Sequence, residues 1–359
     1  MKQLADPALK ILERAVAGER LSLQDGVNLL KSSELVLAGM AANAVKKRLH
    51  PESVVTFVID RNINYTNVCQ TRCRFCAFFR SENDSDAYVL SQEEIFDKIS
   101  ETIACGGTQI LMQGGLHPGL PLSYYEDLLI AIKKRFEIHI HSFSPPEITH
   151  FSRISGLSVR QVLVRLKEAG LDSIPGGGAE ILDNRVRKYI SPEKITWEQW
   201  MEVMTTAHQI GMKTTATMMF GSVETLEERV MHMIRVRDAQ DQTGGFRAFI
   251  PWSFQPANTK LGGDTATGVD YLKTLAVARL MLDNVPNIQA SWVTQGAKMA
   301  QVSLNFGAND FGSTMLEENV VRAAGVNYRV HIDEIIKNIK DAGYQPAQRN
   351  TGYEIIKYY

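Results

Sequence analysis

The sequence of 359 residues has few cysteines and almost no net charge. Four cysteines are too few for a disulfide-stapled scaffold. No apolar run approaches the roughly 20 residues that span a bilayer, and the first residues lack the apolar core of a signal peptide. With 39 Lys and Arg against 40 Asp and Glu, no excess of positive charge points to nucleic acid or to an anionic membrane. We therefore expect a cytoplasmic protein that binds neither.

The apolar pattern divides the chain into three parts. Residues 1–53 are expected to form a helical N-terminal extension, in which Asp6 caps the first helix and Pro7 begins it. From residue 54 to residue 325, short β-branched or apolar runs alternate with amphipathic helical segments, which favours parallel strands with crossover helices. Residues 326–359 are expected to add a small C-terminal extension of helix and loop.

Eight runs in the middle part are predicted to be strands. They are Val54–Ile59, Gln109–Met112, Ile138–Phe143, Ser173–Ile174, Lys213–Phe220, Phe246–Phe254, Ile288–Val293 and Val302–Phe306. About eight strand–helix units in roughly 270 residues fit an α/β fold of the (β/α)8 TIM-barrel type better than an open sheet. Polar or Gly-rich residues follow nearly every run. A turn after the strand is enough to explain any one of these polar segments. Because such a segment follows nearly every strand, the set favours a shared active-site mouth.

Three of the four cysteines lie within eight residues, directly after the first predicted strand. Cys69, Cys73 and Cys76 form a C-x3-C-x2-C triplet, and Phe75 precedes the last of them. Thiolates suit Zn²⁺ or iron–sulfur clusters, but structural zinc usually takes four ligands in paired spacings. Three thiolates can instead hold three irons of a [4Fe–4S] cube and leave the fourth iron open. Zinc with a distant histidine, or three unrelated buried cysteines, are the alternatives, and Cys105 is expected to be an ordinary packed thiol.

This triplet, after the first strand of a predicted barrel, resembles the cysteine motif of the radical S-adenosylmethionine (SAM) superfamily. The resemblance implies a radical SAM oxidoreductase whose [4Fe–4S] cluster is held by the three cysteines, while SAM chelates the open iron. Electron transfer from a flavodoxin or ferredoxin-type donor would release a 5′-deoxyadenosyl radical. The protein would hold the cofactor and the substrate and exclude competing reactions.

The same resemblance implies which residues contact SAM. Gln113 and the two glycines after it are similar to the element that meets the methionine amine, although Leu116 stands where many members have an acid. Glu180 is expected at the ribose hydroxyls and Arg187 at the carboxylate. A helix N-terminal acid and a surface ion pair are the alternatives for these two. The expected SAM contacts are Phe75, Gln113, Gly114, Gly115, Ser144, Glu180, Arg187 and Gly221.

Longer stretches resemble the radical SAM enzymes of the menaquinone and deazaflavin pathways. These stretches are residues 62–67, 112–118, 139–147, 220–225 and 307–312. Residues 243–246 and 291–294 resemble the cyclising enzymes of the futalosine route in particular. The implied substrate is dehypoxanthine futalosine. Its C4′ hydrogen would be removed, the carbon radical would attack the attached benzoate ring, and the ring would regain aromaticity. Aminofutalosine-type or deazaflavin-type synthesis, and a non-catalytic zinc-binding barrel, are the alternative functions.

Candidate substrate-binding or catalytic residues follow from that reaction. A benzoate carboxylate needs cationic or hydroxyl partners, although a strand arginine can also point outward into solvent. Two strand histidines share one face by the period of two and could orient the substrate, accept the proton or serve as core residues. An Asn-Asp pair after the last strand could bind ribose hydroxyls or make an Asx turn. The candidates are Arg61, Arg247, His139, His141, Thr294, Asn309 and Asp310.

Overall fold

The N-terminal extension is helical, as expected. In the computed structural model, which describes residues 7–359, it consists of α1 (Pro7–Ala17), α2 (Leu23–Lys31) and α3 (Leu35–Leu49). Ala8, Ile11, Leu12 and Ala15 of α1 recur at helical spacing and are buried, while Ser22 and Asp25 form a capping box that begins α2. The expected cap of α1, Asp6, lies outside the described residues.

The middle of the chain alternates strands with helices. Its strands are β1 (Val54–Val58), β2 (Asn62–Ile63), β3 (Gln109–Met112), β4 (His139–Ser142), β5 (Ser173–Ile174), β6 (Lys213–Phe220), β7 (Phe246–Ser253), β8 (Asn287–Ile288) and β9 (Asp310–Ser313). Its helices are α4 (Gln92–Ala104), α5 (Leu122–Arg135), α6 (Pro145–Ser155), α7 (Val159–Ala169), α8 (Asn184–Ile190), α9 (Trp197–Gln209), α10 (Leu226–Thr243), α11 (Gly268–Met281), α12 (Trp292–Gln295), α13 (Ala297–Ser303) and α14 (Val320–Ala323).

These strands close into a parallel barrel, which confirms the expected fold class. Within residues 7–359, β2 to β8 pair in sequence order as a seven-stranded sheet. A parallel bridge between Gln289 and Asp310 joins β8 to β9, and β9 pairs in parallel with β1. Because β1 runs on along the chain into β2, the ring is complete. Alternate residues of each strand face its interior.

Two of the predicted strands are wrong in part or in whole. The run Val302–Phe306 ends α13 and continues as a 3₁₀ turn. Val302 is exposed, whereas Leu304 is fully buried. The final strand of the barrel is β9, in a segment that was expected to form a loop. The run Ile288–Val293 is a strand only at its first residue, because Trp292 begins α12 and its indole Nε1 donates to the Ser313 carbonyl at 2.7 Å.

The C-terminal extension contains more than the expected helix and loop. After α15 (Ile332–Asp341) come two further strands, β10 (Gln345–Arg349) and β11 (Ile355–Tyr358). β10 pairs in parallel with β1 on the edge opposite β9, and β11 pairs antiparallel with β10. This pairing brings residues 349–353 to the barrel interior. Among the described residues, no helix has the length and apolar character needed to cross a membrane.

Candidate active site

A cavity of about 280 Å³ occupies the barrel interior. Its walls come from inward-facing residues of the strands and from the loops at their carboxyl ends, where barrel active sites lie. Asp60, Gln113 and His141 line one side, and Trp252 and Thr294 line another. The strand ends therefore converge on one cavity, as the polar residues after each predicted strand indicated.

The three clustered cysteines occupy one loop after β2. The sulfurs of Cys69 and Cys73 lie 3.0 Å and 3.6 Å from the Thr71 hydroxyl oxygen. The Cys76 amide donates to the Cys73 carbonyl at 3.1 Å, so the chain turns back on itself between them. Burial raises the pKa of Cys73 to about 11, against the opposing charge of Lys194. Cys105 is exposed after α4, so its interpretation as a packed thiol is wrong.

The glycines after β3 let the cysteine loop come close to the barrel. A Cβ on Gly115 would lie 2.1 Å from the Val68 carbonyl oxygen and 2.9 Å from the Cys69 Cβ. A Cβ on Gly114 would lie 2.5 Å from the Tyr65 ring. Only hydrogen fits at either position. The Gly-Gly pair thus sets the distance between the thiols and the cavity.

Glu147, a buried carboxylate on α6, holds this element in place and was not singled out from the sequence. One oxygen accepts from the Tyr65 hydroxyl at 2.6 Å and from the Gly114 amide at 3.0 Å. The other accepts from the Ser144 amide and hydroxyl at 2.7 and 2.6 Å. Ser144, an expected SAM contact, is therefore engaged as a helix cap. The sequence signal for Glu147 was its place three residues after Ser144, which is a capping-box spacing.

Glu180 and Arg187 lie together beside the cavity, next to Cys73. Glu180 is 4% exposed, lines the cavity, and holds a left-handed φ of 38°, which is a strained conformation for a residue with a side chain. Its Oε1 accepts from Lys194 at 3.0 Å, while Oε2 has no hydrogen bond among the described residues. Arg187 donates to the carbonyls of Gly178, Ala179 and Ile195. Arg187 is thus a buried brace for the Gly-rich loop, and it also forms an ion pair with Glu180 at 3.5 Å that is buried rather than at the surface.

Two further expected SAM contacts also lie near the cysteine loop or in a strand-end turn. Phe75 is half-buried, with the Lys194 ammonium 5.3 Å from its ring centroid, and it lines a small space of about 50 Å³ together with Cys76. Gly221 has a φ of 84° and donates its amide to Glu224 at 2.6 Å. The turn after β6 therefore requires glycine for its backbone conformation.

The two strand histidines share one hydroxyl. His141 lines the cavity and its Nδ1 lies 2.6 Å from Ser173 Oγ, while His139 Nε2 lies 2.8 Å from the same oxygen. Burial lowers the pKa of His141 to about 3 and that of His139 to about 4. Both imidazoles are neutral at pH 7. Their common face is the one that the strand period predicted.

Neither expected arginine reaches the cavity. Arg61 is tied to Glu101 and Glu317 at 2.6 and 3.1 Å. Arg247 lies in a groove at the opposite end of the barrel and donates to the Thr351 carbonyl at 3.2 Å. Both expectations fail because an arginine at the start or the outer face of a strand points away from the strand's carboxyl end.

The side chains of Asn309 and Asp310 also form hydrogen bonds to other groups of the protein. Asn309 accepts from Arg279 and from the Ile288 amide at 2.8 and 2.9 Å, and it donates to Asn287. Asp310 accepts from the Gly312 amide at 3.0 Å, which is the Asx-turn alternative. Ribose binding by this pair is therefore not supported. Thr294, in contrast, lines the cavity, 2.9 Å from the Ser291 hydroxyl oxygen.

Arg349 is the arginine that lines the cavity, and sequence reasoning missed it. It comes from β10, pairs with Asp310 through Nε and Nη2, and lies 3.9 Å from the Tyr353 ring centroid. Tyr353 and Thr351 line the same cavity. The sequence signal for Arg349 was the cluster of polar and aromatic residues in 348–353. We expected this segment to be a loop outside the barrel, so the cluster did not indicate a place in the cavity.

The donor set fits a cluster that needs one open coordination position. Three thiols share one loop, and the remaining cysteine of the chain is exposed elsewhere. A bound metal would take these sulfurs as thiolates and release their protons. Glu180 lines the adjoining cavity, and its Oε2 lies 3.5 Å from Arg187 Nη1 but accepts no hydrogen bond from the described residues. These residues suit a [4Fe–4S] cluster and SAM better than a four-ligand zinc site.

Comparison with known proteins agrees with this geometry. Residues 63–235 match the radical SAM superfamily, and residues 243–358 match the CofH/MqnC C-terminal region. The chain is 54% identical to the cyclic dehypoxanthine futalosine synthase of Halalkalibacterium halodurans, over 97% of this chain and 94% of that protein. It is 40% identical to the aminodeoxyfutalosine synthase of Thermus thermophilus, over 99% and 98% of the two chains. The fold matches methylornithine synthase (PylB) with a TM-score of 0.75 at 19% identity, covering 94% of this chain and 97% of that one.

Proposed function

Because the chain belongs to the radical SAM superfamily, in the group that carries the CofH/MqnC C-terminal region, we propose that it converts dehypoxanthine futalosine into its cyclic form in menaquinone biosynthesis. The observation that carries the proposal is 54% identity over nearly the whole chain to a cyclic dehypoxanthine futalosine synthase. Identity to the aminodeoxyfutalosine synthase is 40%, so the alternative synthesis is not favoured. The protein is an enzyme that acts on a small molecule.

The cofactors are a [4Fe–4S] cluster and SAM, which together supply a 5′-deoxyadenosyl radical when bound. Cys69, Cys73 and Cys76 would hold the cluster. Gln113 and Glu180 are the cavity-lining side chains nearest the Gly-rich elements and would receive SAM, with Lys194 fixing the Glu180 carboxylate. Arg187 keeps the loop under Glu180 in shape.

The substrate side of the cavity supports an intramolecular ring closure. Arg349 has five N–H donors, of which the described residues accept three, at Asp310 and the Asn350 carbonyl. The other two are available to a benzoate carboxylate. Since both reacting carbons belong to one molecule, the barrel needs only to hold a conformer in which they approach each other.

We further infer a flavodoxin or ferredoxin-type electron donor, as the resemblance to radical SAM enzymes implies. We also propose a cytoplasmic location, because a reducing compartment keeps three neighbouring thiols available to bind a cluster.

The test is a product assay under anoxic conditions. The reconstituted enzyme is incubated with dehypoxanthine futalosine, SAM and dithionite, and products are separated by mass. The proposal expects a compound lighter than the substrate by the mass of two hydrogen atoms, together with 5′-deoxyadenosine. Formation of 5′-deoxyadenosine without that compound would reject the reaction but keep the superfamily chemistry.

A further inference from the structure

Two spaces meet across the floor of the barrel. The cavity opens toward the carboxyl ends of the strands, whereas a solvent-facing groove of about 940 Å³ lies at their amino ends. Thr351 lines both spaces. His141 lines the cavity, and His139, two residues earlier on the same strand, lines the groove. Thr351 and the two histidines thus lie between the cavity and the groove at the amino ends of the strands.

Ser173 links the two histidines. Its hydroxyl is 2% exposed and lies within 2.6 Å of His141 Nδ1 and 2.8 Å of His139 Nε2. A hydroxyl has one donor and two acceptor positions, so it can donate to one ring while it accepts from the other. Among the described residues, no side chain is bonded to His141 Nε2 or to His139 Nδ1, and the Ser173 backbone also bonds to the His141 ring. Each ring therefore has one nitrogen within hydrogen-bond distance of the Ser173 hydroxyl. The other nitrogen has no side-chain partner and is available to the space that the ring lines.

The other acids of the cavity are already occupied. Asp60 accepts from the Ser313 hydroxyl and from the Gln109 amide. Glu318 accepts from the backbone amides of residues 320–322, and Glu180 is paired with Lys194. His141 is the cavity-lining base with a ring nitrogen free of such a partner.

We propose that His141, Ser173 and His139 form a proton relay that carries the rearomatisation proton from the cavity to the groove. The proposal rests on the proposed cyclisation. The C–H bond of the attacked ring carbon breaks and an N–H bond forms at His141 Nε2. His141 passes its Nδ1 proton to Ser173, Ser173 passes its proton to His139 Nε2, and His139 releases its Nδ1 proton to water. The electron lost with the proton goes to an oxidised one-electron carrier of the iron–sulfur class.

The charges around the relay favour passing the proton on to the groove. They disfavour a protonated imidazole at His141 or His139. Arg349 and Arg247 lie near His141, while Lys133, Arg247 and Asp172 lie near His139, in a groove that Glu137 and Glu354 also line. Buried imidazoles among these cations do not hold a positive charge at pH 7. A proton that enters at His141 is therefore passed on, and the enclosed site does not accumulate charge.

Ser173→Ala tests the relay, with Ser142→Ala as the matched control. Ser142 follows His141 on β4, is fully buried, and its hydroxyl donates to the Met112 carbonyl at 2.6 Å rather than to either imidazole. In the first turnover, S173A is expected to form 5′-deoxyadenosine at the wild-type rate and cyclic product at least tenfold more slowly. A freeze-quenched sample should show a substrate-derived organic radical by electron paramagnetic resonance. S142A should match wild type in all three measurements.

His139→Ala provides a second variant that does not depend on the packing of Ser173. The side chain opens onto the groove, so added imidazole can enter the vacated space and should restore product formation. Product rates in S173A and H139A equal to that of S142A, with no radical accumulation and no imidazole effect, would overturn the relay.

A cofactor-free measurement separates the relay from the proposed function. In protein labelled with ¹⁵N-histidine, exchange of the His141 ring proton with water should be at least tenfold slower in S173A and H139A than in S142A. Equal exchange rates would reject the relay. A wild-type enzyme that does not cyclise the substrate would reject the proposed function, and the exchange rates would then decide the relay by themselves.

Discussion

Arg349 and Asp310 form a two-point ion pair in the wall of the cavity, with Nε–Oδ2 at 2.5 Å and Nη2–Oδ1 at 3.1 Å. The two side chains are 5% and 0% exposed. Asp310 also accepts from the Thr56 hydroxyl at 2.5 Å, so β1, β9 and β10 are fixed to each other at this point. The pair gives the cavity a cation of fixed orientation, which is what a planar carboxylate requires.

Arg349→Lys keeps the charge but removes the planar fork. We expect KM for dehypoxanthine futalosine to rise about 10- to 100-fold, which corresponds to one charge-assisted hydrogen bond of about 1.5–3 kcal/mol. Iron content should not change. The control is Arg165→Lys, which removes a fork of the same kind to Glu126 on the surface. An unchanged KM in R349K would show that the carboxylate binds elsewhere.

Gly115→Ala should increase the distance between the cysteine loop and the cavity. The new Cβ would lie 2.1 Å from the Val68 carbonyl oxygen, a contact that the backbone must move to relieve. We expect at least a tenfold loss of SAM affinity, measured by equilibrium binding to reconstituted protein. Gly119→Ala is the control, since its nearest contact would be 3.4 Å from His117. Wild-type SAM affinity in G115A would contradict the close approach described for this element.

Cys73→Ala should remove the cluster and the activity together. Cys73 is the most buried cysteine of the triplet, and a cube with only two protein ligands is not held. Iron and sulfide per chain should fall to background after anoxic reconstitution. Cys105→Ala changes an exposed thiol outside the loop and should keep the full iron content. An active C73A protein without iron would refute the assignment of the cluster.

Stability of the cofactor-free protein should fall on acidification because of His232. This imidazole is fully buried, and its Nδ1 accepts from the Leu182 amide at 3.0 Å. Burial, with Arg235 and Arg187 nearby, lowers its pKa to about 3. The unfolded chain binds the proton first, so His232 contributes stability above pH 6.5 that is lost at about 1.4 kcal/mol per pH unit below it.

Urea unfolding at pH 7.5 and pH 5.5 measures this contribution. His232→Gln should be less stable than wild type at pH 7.5 but lose less free energy of unfolding between the two values. The exposed His331 offers the control His331→Gln, which should follow wild type. Equal losses in wild type and H232Q would show that His232 is not the group responsible.

The sequence predicted the parts of the molecule that depend on local pattern. The cysteine triplet, the strand alternation and the common face of His139 and His141 follow from spacing along the chain. Spacing cannot show which residues meet across the barrel. Arg349 reaches the cavity only because β10 pairs with β1, and Arg61 leaves it because Glu101 and Glu317 hold it outside.

The errors in the predicted strands have a similar origin. In Val302–Phe306 an apolar residue alternates with a polar one, which fits a strand as well as a helical turn. The fold selects the turn because Gly307, with a φ of 107°, has no room for a Cβ, which would lie 2.8 Å from Arg279. Asp310, whose polar character suggested a loop, is buried in a strand because Arg349 neutralises it.

The most direct test of the account is the fate of the substrate's C4′ hydrogen. Dehypoxanthine futalosine carrying deuterium at C4′ is incubated with the anoxically reconstituted enzyme, SAM and reductant, and the isotope content of 5′-deoxyadenosine is measured by mass spectrometry. We expect one deuterium in 5′-deoxyadenosine and none at the new ring junction of the cyclic product. Cyclic product formed while 5′-deoxyadenosine and recovered SAM stay unlabelled would contradict it.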